Sequence, residues 1–474
     1  MFVVSPQDSD PLYVQLYKQI REHVLSGKMP AGSKLPSVRD LSGELAVSRN
    51  TVESAYLDLH AEGYIHTRPR SGYFVSALDH DAAPVAPKIE PAGKEPPRQP
   101  HRQPPHEPEE PLCRYDFHPA RLAPESFPLA LWRKYSLECL RESALQLTQY
   151  RDPRGEPELR RTIRDYLERS RGVTCDPEQV VVTSGLQQSL EIVAGMARDA
   201  CPAVALENPG YFLPRCVFGN HGFGLVPIPA GPGGLDLDRL HASGAGMVYV
   251  TPSHQFPLGQ VMPVGNRLKL IDWARAGDRI ILEDDYDSEL RYQGKPIPSL
   301  QGLAPGANIV YLGTFSKILS PALRLSYMVL PPTLLGLYRE RFRQYQASGS
   351  FLEQATLARF MELGHWDRHI RRMRTLCRKK HALLLRAVER HFQDRAAVTG
   401  QGAGLHVVLR LQGDHPGEEE LVRLARDAGI RLFPFSETLM GGGDASGMLL
   451  LGFGGIPAGE IDPGVALLAR ICSG

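Results

Sequence analysis

The stretch LDHDAAPVAPKIEPAGKEPPRQPHRQPPHEPEEP, residues 78–111, constrains the chain more than any other. It holds ten prolines and almost no large apolar side chain. Each proline removes a backbone donor and fixes φ, so the segment can join neither a β-ladder nor a core and reads as an extended, semi-stiff spacer. The 474-residue chain is therefore expected to fold in separate parts: residues 1–77, a linker over 78–112, and residues 113–474.

Within residues 1–77, PLYVQLYKQIREHVLSGKM spaces Leu12, Leu16, Ile20, Val24 and Leu25 on one helical face. A second helix starts after Pro36 with Ser37 as cap, and a third starts at Ser48 and stops at Gly63. YIHTRPRSGYFV follows as two short strands around a basic turn. Helix, helix, turn, helix and hairpin is the order of a winged helix-turn-helix, whose third helix enters the DNA major groove by its N-terminal end. That end carries Ser48, Arg49, Asn50 and Thr51, all able to hydrogen-bond bases or phosphates. Arg39, Arg68 and Arg70 are placed to neutralise flanking phosphates. Residues 1–76 hold eight Lys and Arg against eight Asp and Glu, and the whole chain 54 against 53. Any hold on DNA thus depends on where the cations stand, not on net charge.

Residues 113–474 alternate apolar strand-like runs (VVVTS, AVALE, MVYVTP, RIILEDD, NIVYLGT, LSYMVLP) with amphipathic helices. This is the pattern of an α/β domain with a mostly parallel sheet; a smaller α+β portion is expected from roughly 375 to 474. At the strand ends stand the parts of a pyridoxal 5'-phosphate (PLP) site. Lys317, in GTFSKILS, offers an amine for a Schiff base. Asp284 can pair with a protonated ring nitrogen, Tyr286 can meet the ring oxygen, and Tyr211 can stack on the ring. The N–H groups of Gly185, Leu186 and Gln187 open a helix and make an anion site. Thr314, Ser316 and Arg324 add donors and a fixed positive charge for the same phosphate. Carboxyl ends of strands are where open α/β sheets gather ligands.

GSKLPSVRDLSGELAVSRNTVESAYLDLHAEGYIHTRPRSGYFV resembles the DNA-binding domain of the GntR family. The resemblance implies operator contacts from Arg39, Ser48, Arg49, Thr51, Arg70 and Gly72. YRDPRGEPELRRTIRDYL, TSGLQQSLEIV, ENPGYFLPR, TPSHQFPLGQVM, LEDDYDSELRY and GTFSKILSPALRLSYMVLP resemble, in order, the fold-type I aminotransferases. That resemblance implies Lys317 as the internal-aldimine lysine, Asp284 as the pyridinium partner and Tyr286 on the ring hydroxyl. It also implies Tyr211 as the stacking aromatic, Arg324 as the phosphate arginine, and Tyr150 as the residue reaching a second subunit's phosphate. The two together are similar to the MocR/GabR-type regulators, which join a winged helix to an aminotransferase-like domain.

Three positions depart from the enzyme pattern. Phe256 stands where aminotransferases carry the Asn of NPTG, with His254 or Gln255 as substitutes. Leu186 replaces a hydroxyl in the phosphate loop. Leu450, in MLLLGFGG, stands where LRLGF-type endings place the arginine that grips a substrate α-carboxylate. Unless Arg215 or another cation compensates, an ordinary α-amino acid is held poorly, which argues against efficient transamination and fits an effector lacking that group, or PLP itself. The expected protein is a PLP-binding regulator of double-stranded operator DNA that senses an amine or vitamer, as a head-to-tail, domain-swapped homodimer. The alternatives are an active aminotransferase that also autoregulates and a cofactor-free dimeric regulator. Seven scattered cysteines without a C-x-x-C pair favour a reducing compartment over a disulfide or zinc framework. With no membrane-length apolar run, a cytoplasmic location is expected.

Overall fold

In the N-terminal unit the apolar spacing produces three helices, α1 (Leu12–Leu25), α2 (Val38–Glu44) and α3 (Arg49–Ala61). The computed structural model describes residues 2–6, 8, 10–68, 71–77, 113–292, 297–400, 402–443 and 445–472. The linker 78–112 and Arg70 lie outside these. The chain divides into two compact units, 1–106 and 107–474.

Leu16, Ile20 and Val24 of α1 pack with Leu41, Val52, Tyr56 and Leu59 into one core. Leu25, expected on the same face, is 48% exposed: neighbours in a helix diverge by about 100°, and Val24 takes the inward direction. Both helix starts are capped as the hydroxyls predict. Ser37 Oγ accepts from Asp40 N–H at 3.1 Å, and Ser48 Oγ accepts from Thr51 N–H at 3.1 Å. Strands β1 (Ile65–Arg68) and β2 (Gly72–Val75) pair antiparallel, with Ile65 opposite Val75 and Arg68 opposite Gly72. This is the winged helix-turn-helix order.

The larger unit begins with β3 (Tyr115–Asp116), then α4 (Leu129–Glu142) and α5 (Pro157–Arg171). Its main sheet comprises β4 (Val180–Thr183), β5 (Ala203–Asn208), β6 (Gly224–Gly231), β7 (Gly234–Leu235), β8 (Met247–Val250), β9 (Ile280–Asp285), β10 (Ile309–Thr314) and β11 (Ser326–Val329). The eight run in the order β4-β11-β10-β9-β8-β5-β6-β7. β10, β9, β8, β5 and β6 are parallel, whereas β11 is antiparallel to both neighbours and β7 to β6. Ile281 and Leu282 point to opposite faces and join different apolar clusters. Both faces are covered, so the strands read as unbroken apolar runs instead of alternating ones.

β12 (Ala396–Thr399), β13 (His406–Leu411), β15 (Phe433–Pro434) and β16 (Met448–Gly452) form a second, antiparallel sheet in the order β12-β13-β16-β15. The long helix His365–Phe392 and the last helix, Ile461–Ile471, share its core. β3 pairs in parallel with β14 (Ile430–Arg431), Tyr115 opposite Ile430. The first residues of the unit thus belong with its C-terminal portion, a long-range contact that a two-residue strand does not announce in sequence. Among the described residues, no helix is long and apolar enough to cross a membrane.

Candidate functional site

At the carboxyl ends of β5, β8, β9 and β10 lies a cavity of about 270 Å³. Its walls carry nine of the cofactor-binding candidates read from the sequence: Lys317, Asp284, Tyr286, Tyr211, Leu186, Gln187, Thr314, Ser316 and Arg324.

The floor explains which acid of Glu283-Asp284-Asp285 does the work. Strand alternation sends Asp284 to the side opposite its neighbours. Glu283 accepts N–H bonds from Leu300 (2.7 Å) and Gln301 (3.0 Å). Asp285 is held by Arg171 at 2.6 Å and by the Tyr311 hydroxyl. Asp284 receives the Tyr249 O–H and, unlike its two neighbours, faces the cavity. Burial foremost, with help from Asp285 and Asp287, pushes its carboxyl up to about 7, against the opposing pull of Tyr249 and Lys317. An acid so placed calls for a cationic partner such as a protonated ring nitrogen.

Lys317 opens into the same cavity, its Nζ 5.8 Å from the centroid of the Tyr286 ring. Burial lowers its pKa, while Asp287 and Asp284 hold it up; the neutral amine is the nucleophilic form. Tyr211 stands at the start of the helix Phe212–Asn220, with its ring edge-on to Phe256 at 5.5 Å.

The third element is an anion cradle. Gly185 takes φ +106° ahead of α6 (Leu186–Ala197), so the N–H groups at the helix start point outward. A Cβ at Gly185 would collide with the Arg324 guanidinium, which donates to Ser184 O at 3.1 Å. Arg324 therefore lies across the helix start only because residue 185 has no side chain. Thr314 Oγ1 accepts from Ser316 N–H (3.1 Å) and contacts Ser326 Oγ (2.8 Å), which fixes the opposite rim. Aromatic, acid, amine and cradle suit a flat, anionic aldehyde with a basic ring nitrogen.

Two candidates lie elsewhere. Tyr150 is 89% exposed and does not line the cavity of its own chain. His254 stands behind Tyr286. Its Nδ1 is 2.8 Å from Asp287 Oδ2 and 3.0 Å from the Tyr286 hydroxyl. The Tyr286 hydroxyl also meets the Asp287 carboxylate, so His254, Asp287 and Tyr286 form one buried hydrogen-bonded group beside the cavity. Gln255 does not replace the missing Asn: its amide donates to Pro209 O (2.9 Å) and Phe256 O (2.6 Å). Nor does Arg215 reach the cavity; its Nη1 donates to Leu439 O at 2.6 Å.

Three residues of the site escaped the sequence reading. Thr251 lines the cavity, and its N–H (3.0 Å) and Oγ1 (2.7 Å) bond Glu207. Glu207 is pushed up to about 7, chiefly by burial. Tyr249 and Glu207 sit inside apolar strands, where only the rule that buried polar groups need partners hints at a role.

In the other unit, Arg39, Ser48, Arg49, Asn50, Arg68 and Gly72 are exposed and Thr51 is half-buried. Ser48 and Thr51 hydroxyls bond each other at 2.8 Å as part of the cap, leaving Arg49 and Asn50 as the projecting pair. The Arg68 guanidinium lies 4.3 Å from the Phe74 ring centroid.

Residues 12–75 match the family described as "Bacterial regulatory proteins, gntR family", and residues 124–447 match "Aminotransferase class I and II". MocR of Rhizobium meliloti is 34% identical over 98% of this chain and 94% of its own length. The HTH-type transcriptional regulator TauR of Rhodobacter capsulatus is 32% identical over 99% and 98%. The pyridoxine biosynthesis transcriptional regulator PdxR of Corynebacterium glutamicum is 32% identical over 95% and 94%. Among solved structures, the α-aminoadipate aminotransferase LysN of Thermus thermophilus, complexed with N-(5'-phosphopyridoxyl)-L-leucine, superposes with a TM-score of 0.69. It is 27% identical, over 76% of this chain and 92% of that one. A winged helix and a fold-type I aminotransferase domain in one polypeptide, matched end to end by such regulators, place the chain in the MocR/GabR-type subfamily of GntR-family transcriptional regulators.

Proposed function

We propose that this regulator binds PLP on Lys317 and uses its aminotransferase-like domain to sense an amine compound or PLP itself. The observation that carries the reading is the convergence of Lys317, Asp284 and the Gly185–Arg324 cradle on one cavity. When bound, PLP supplies an electrophilic aldehyde carbon that takes up amines. Lys317 would hold that carbon through its amine, and Asp284 would keep a proton on the ring nitrogen. Tyr286 would meet the ring oxygen through its hydroxyl, and Tyr211 would cover the ring. The phosphate would rest on the N–H groups of Gly185, Leu186 and Gln187, with Thr314, Ser316 and Arg324. LysN carries a phosphopyridoxyl ligand in its related fold, which supports this assignment.

Arg39, Arg49, Asn50, Arg68 and, outside the described residues, Arg70 would hold operator DNA together with Ser48, Thr51 and Gly72. We assign the chain to a homodimer in which Tyr150 of one subunit completes the cradle of the other. Ligand binding changes DNA binding only if it favours one arrangement of the dimer over another.

The test uses the full-length protein and a duplex selected from random sequence. Adding PLP, with or without an amine, should change its DNA affinity severalfold, and Lys317→Ala should abolish that response while leaving basal binding. A response that survives Lys317→Ala contradicts the reading. An aminotransferase activity is the second reading, favoured by the intact Lys317, Asp284 and Tyr286; sustained turnover of an amino donor with a keto acid would establish it.

A further inference from the structure

An amine reacting at this site must bring its amine-bearing carbon beside Lys317, so the substituents on that carbon meet the same walls. Away from the acid, the amine and the cradle, part of that wall is apolar: Ala120, Leu186, Leu213, Phe256 and Pro321, with the Tyr211 ring. Behind Phe256, Leu450 is fully buried in a cluster with Val408, Phe433 and Phe435. Strand pairing fixes it there, between Val408 and Phe433.

Among the described lining residues the cations are Lys317 and Arg324, and Arg324 lies on the cradle against Gly185. The neighbouring cations are engaged elsewhere. Arg215 donates to Leu439 O at 2.6 Å. Arg121, next to Ala120, pairs with Asp116 at 3.2 Å. Arg410 is exposed, on the strand that carries Val408. His406 is pushed down to about 3 by burial, then by His254 and Lys317, and is neutral at physiological pH. Its Nε2 faces Pro257 O at 3.0 Å. Among the described residues, a carboxylate on the reacting carbon would lose its water and find no uncommitted counter-charge, which is strongly unfavourable.

We infer that the effector is a primary amine whose amine-bearing carbon carries no carboxylate, and that the apolar wall of Leu213 and Phe256, backed by Leu450, enforces this choice. The inference rests on attachment of PLP at Lys317. The exchange is redox-neutral: a carbon–nitrogen bond forms to the incoming amine, the bond to Lys317 breaks, and the two protons leaving the incoming nitrogen end on the lysine amine.

The PLP-loaded full-length protein is titrated with phenethylamine and with L-phenylalanine, which differ by one carboxylate, and the visible absorbance of the cofactor is followed. At equal concentrations of free base, the amine should reach half-maximal change at a concentration at least about tenfold lower. Leu213→Arg, at a half-buried position on the wall, should narrow or reverse that gap. An amino acid that acts as well as the amine, or silence toward both, overturns the inference. A protein with no cofactor absorbance and no borohydride-trapped adduct instead contradicts attachment at Lys317, and this preference falls with it.

Discussion

Asp284 illustrates how one residue's surroundings set its task. Without a bound cofactor it keeps its proton up to about pH 7, whereas an aspartate in an unfolded chain releases it near 3.8. The folded, cofactor-free state thus binds more protons, so Asp284's contribution is complete below pH 4 and is lost as pH rises toward 7. Glu207, Glu283 and Glu289, each pushed up to about 7 mainly by burial, act in the same direction. Chemical denaturation of the cofactor-free protein should show stability falling across that window. Asp284→Asn should make the fall shallower, and an unchanged slope would refute the assignment. The same substitution should weaken PLP binding about ten- to a hundredfold, the range of one charge-assisted hydrogen bond at ~1.5–3 kcal/mol. The places of Lys317, Asp284 and Tyr211 on the cavity wall were legible because each stands at or just past the end of a strand that the apolar runs reveal. His254 was read onto the cavity wall, yet it stands behind Tyr286: sequence shows that a histidine is near, not which way its ring faces.

At the scale of elements, the proposed DNA-reading end of α3 has its cap, Ser48, beside a projecting residue, Arg49, that takes no part in the cap. Ser48→Ala removes the N-cap and should cost about 1 kcal/mol of stability in the N-terminal unit, read by thermal unfolding. Arg49→Ala leaves the cap intact, so the melting temperature should hold while operator affinity drops by about 1–3 kcal/mol. Equal losses of stability in both variants would contradict this division. The helices and their caps were readable because hydroxyl, spacing and glycine stop agree. The strand β6 was not, since Pro227 and Pro229 within Gly224–Gly231 argue against a ladder position. Nor was β3, whose two residues have no periodicity and gain their conformation from Ile430 and Arg431 across the unit.

For the whole molecule, residues 129–150 leave Leu129 (68%), Leu145 (66%) and Tyr150 (89%) exposed, more apolar surface than a solvated stretch needs. The proposed second copy would cover it. Placing like charges there with Leu129→Asp and Leu145→Asp should shift the sedimenting species to half its mass and weaken PLP binding. A wild-type protein that sediments as a monomer would remove Tyr150 from the site. The most direct test of the account is peptide mapping by mass spectrometry after the PLP-treated full-length protein is reduced with borohydride. The account predicts a phosphopyridoxyl group on the peptide containing Lys317 and on no other lysine; an unmodified Lys317, or label spread over surface lysines, would contradict it.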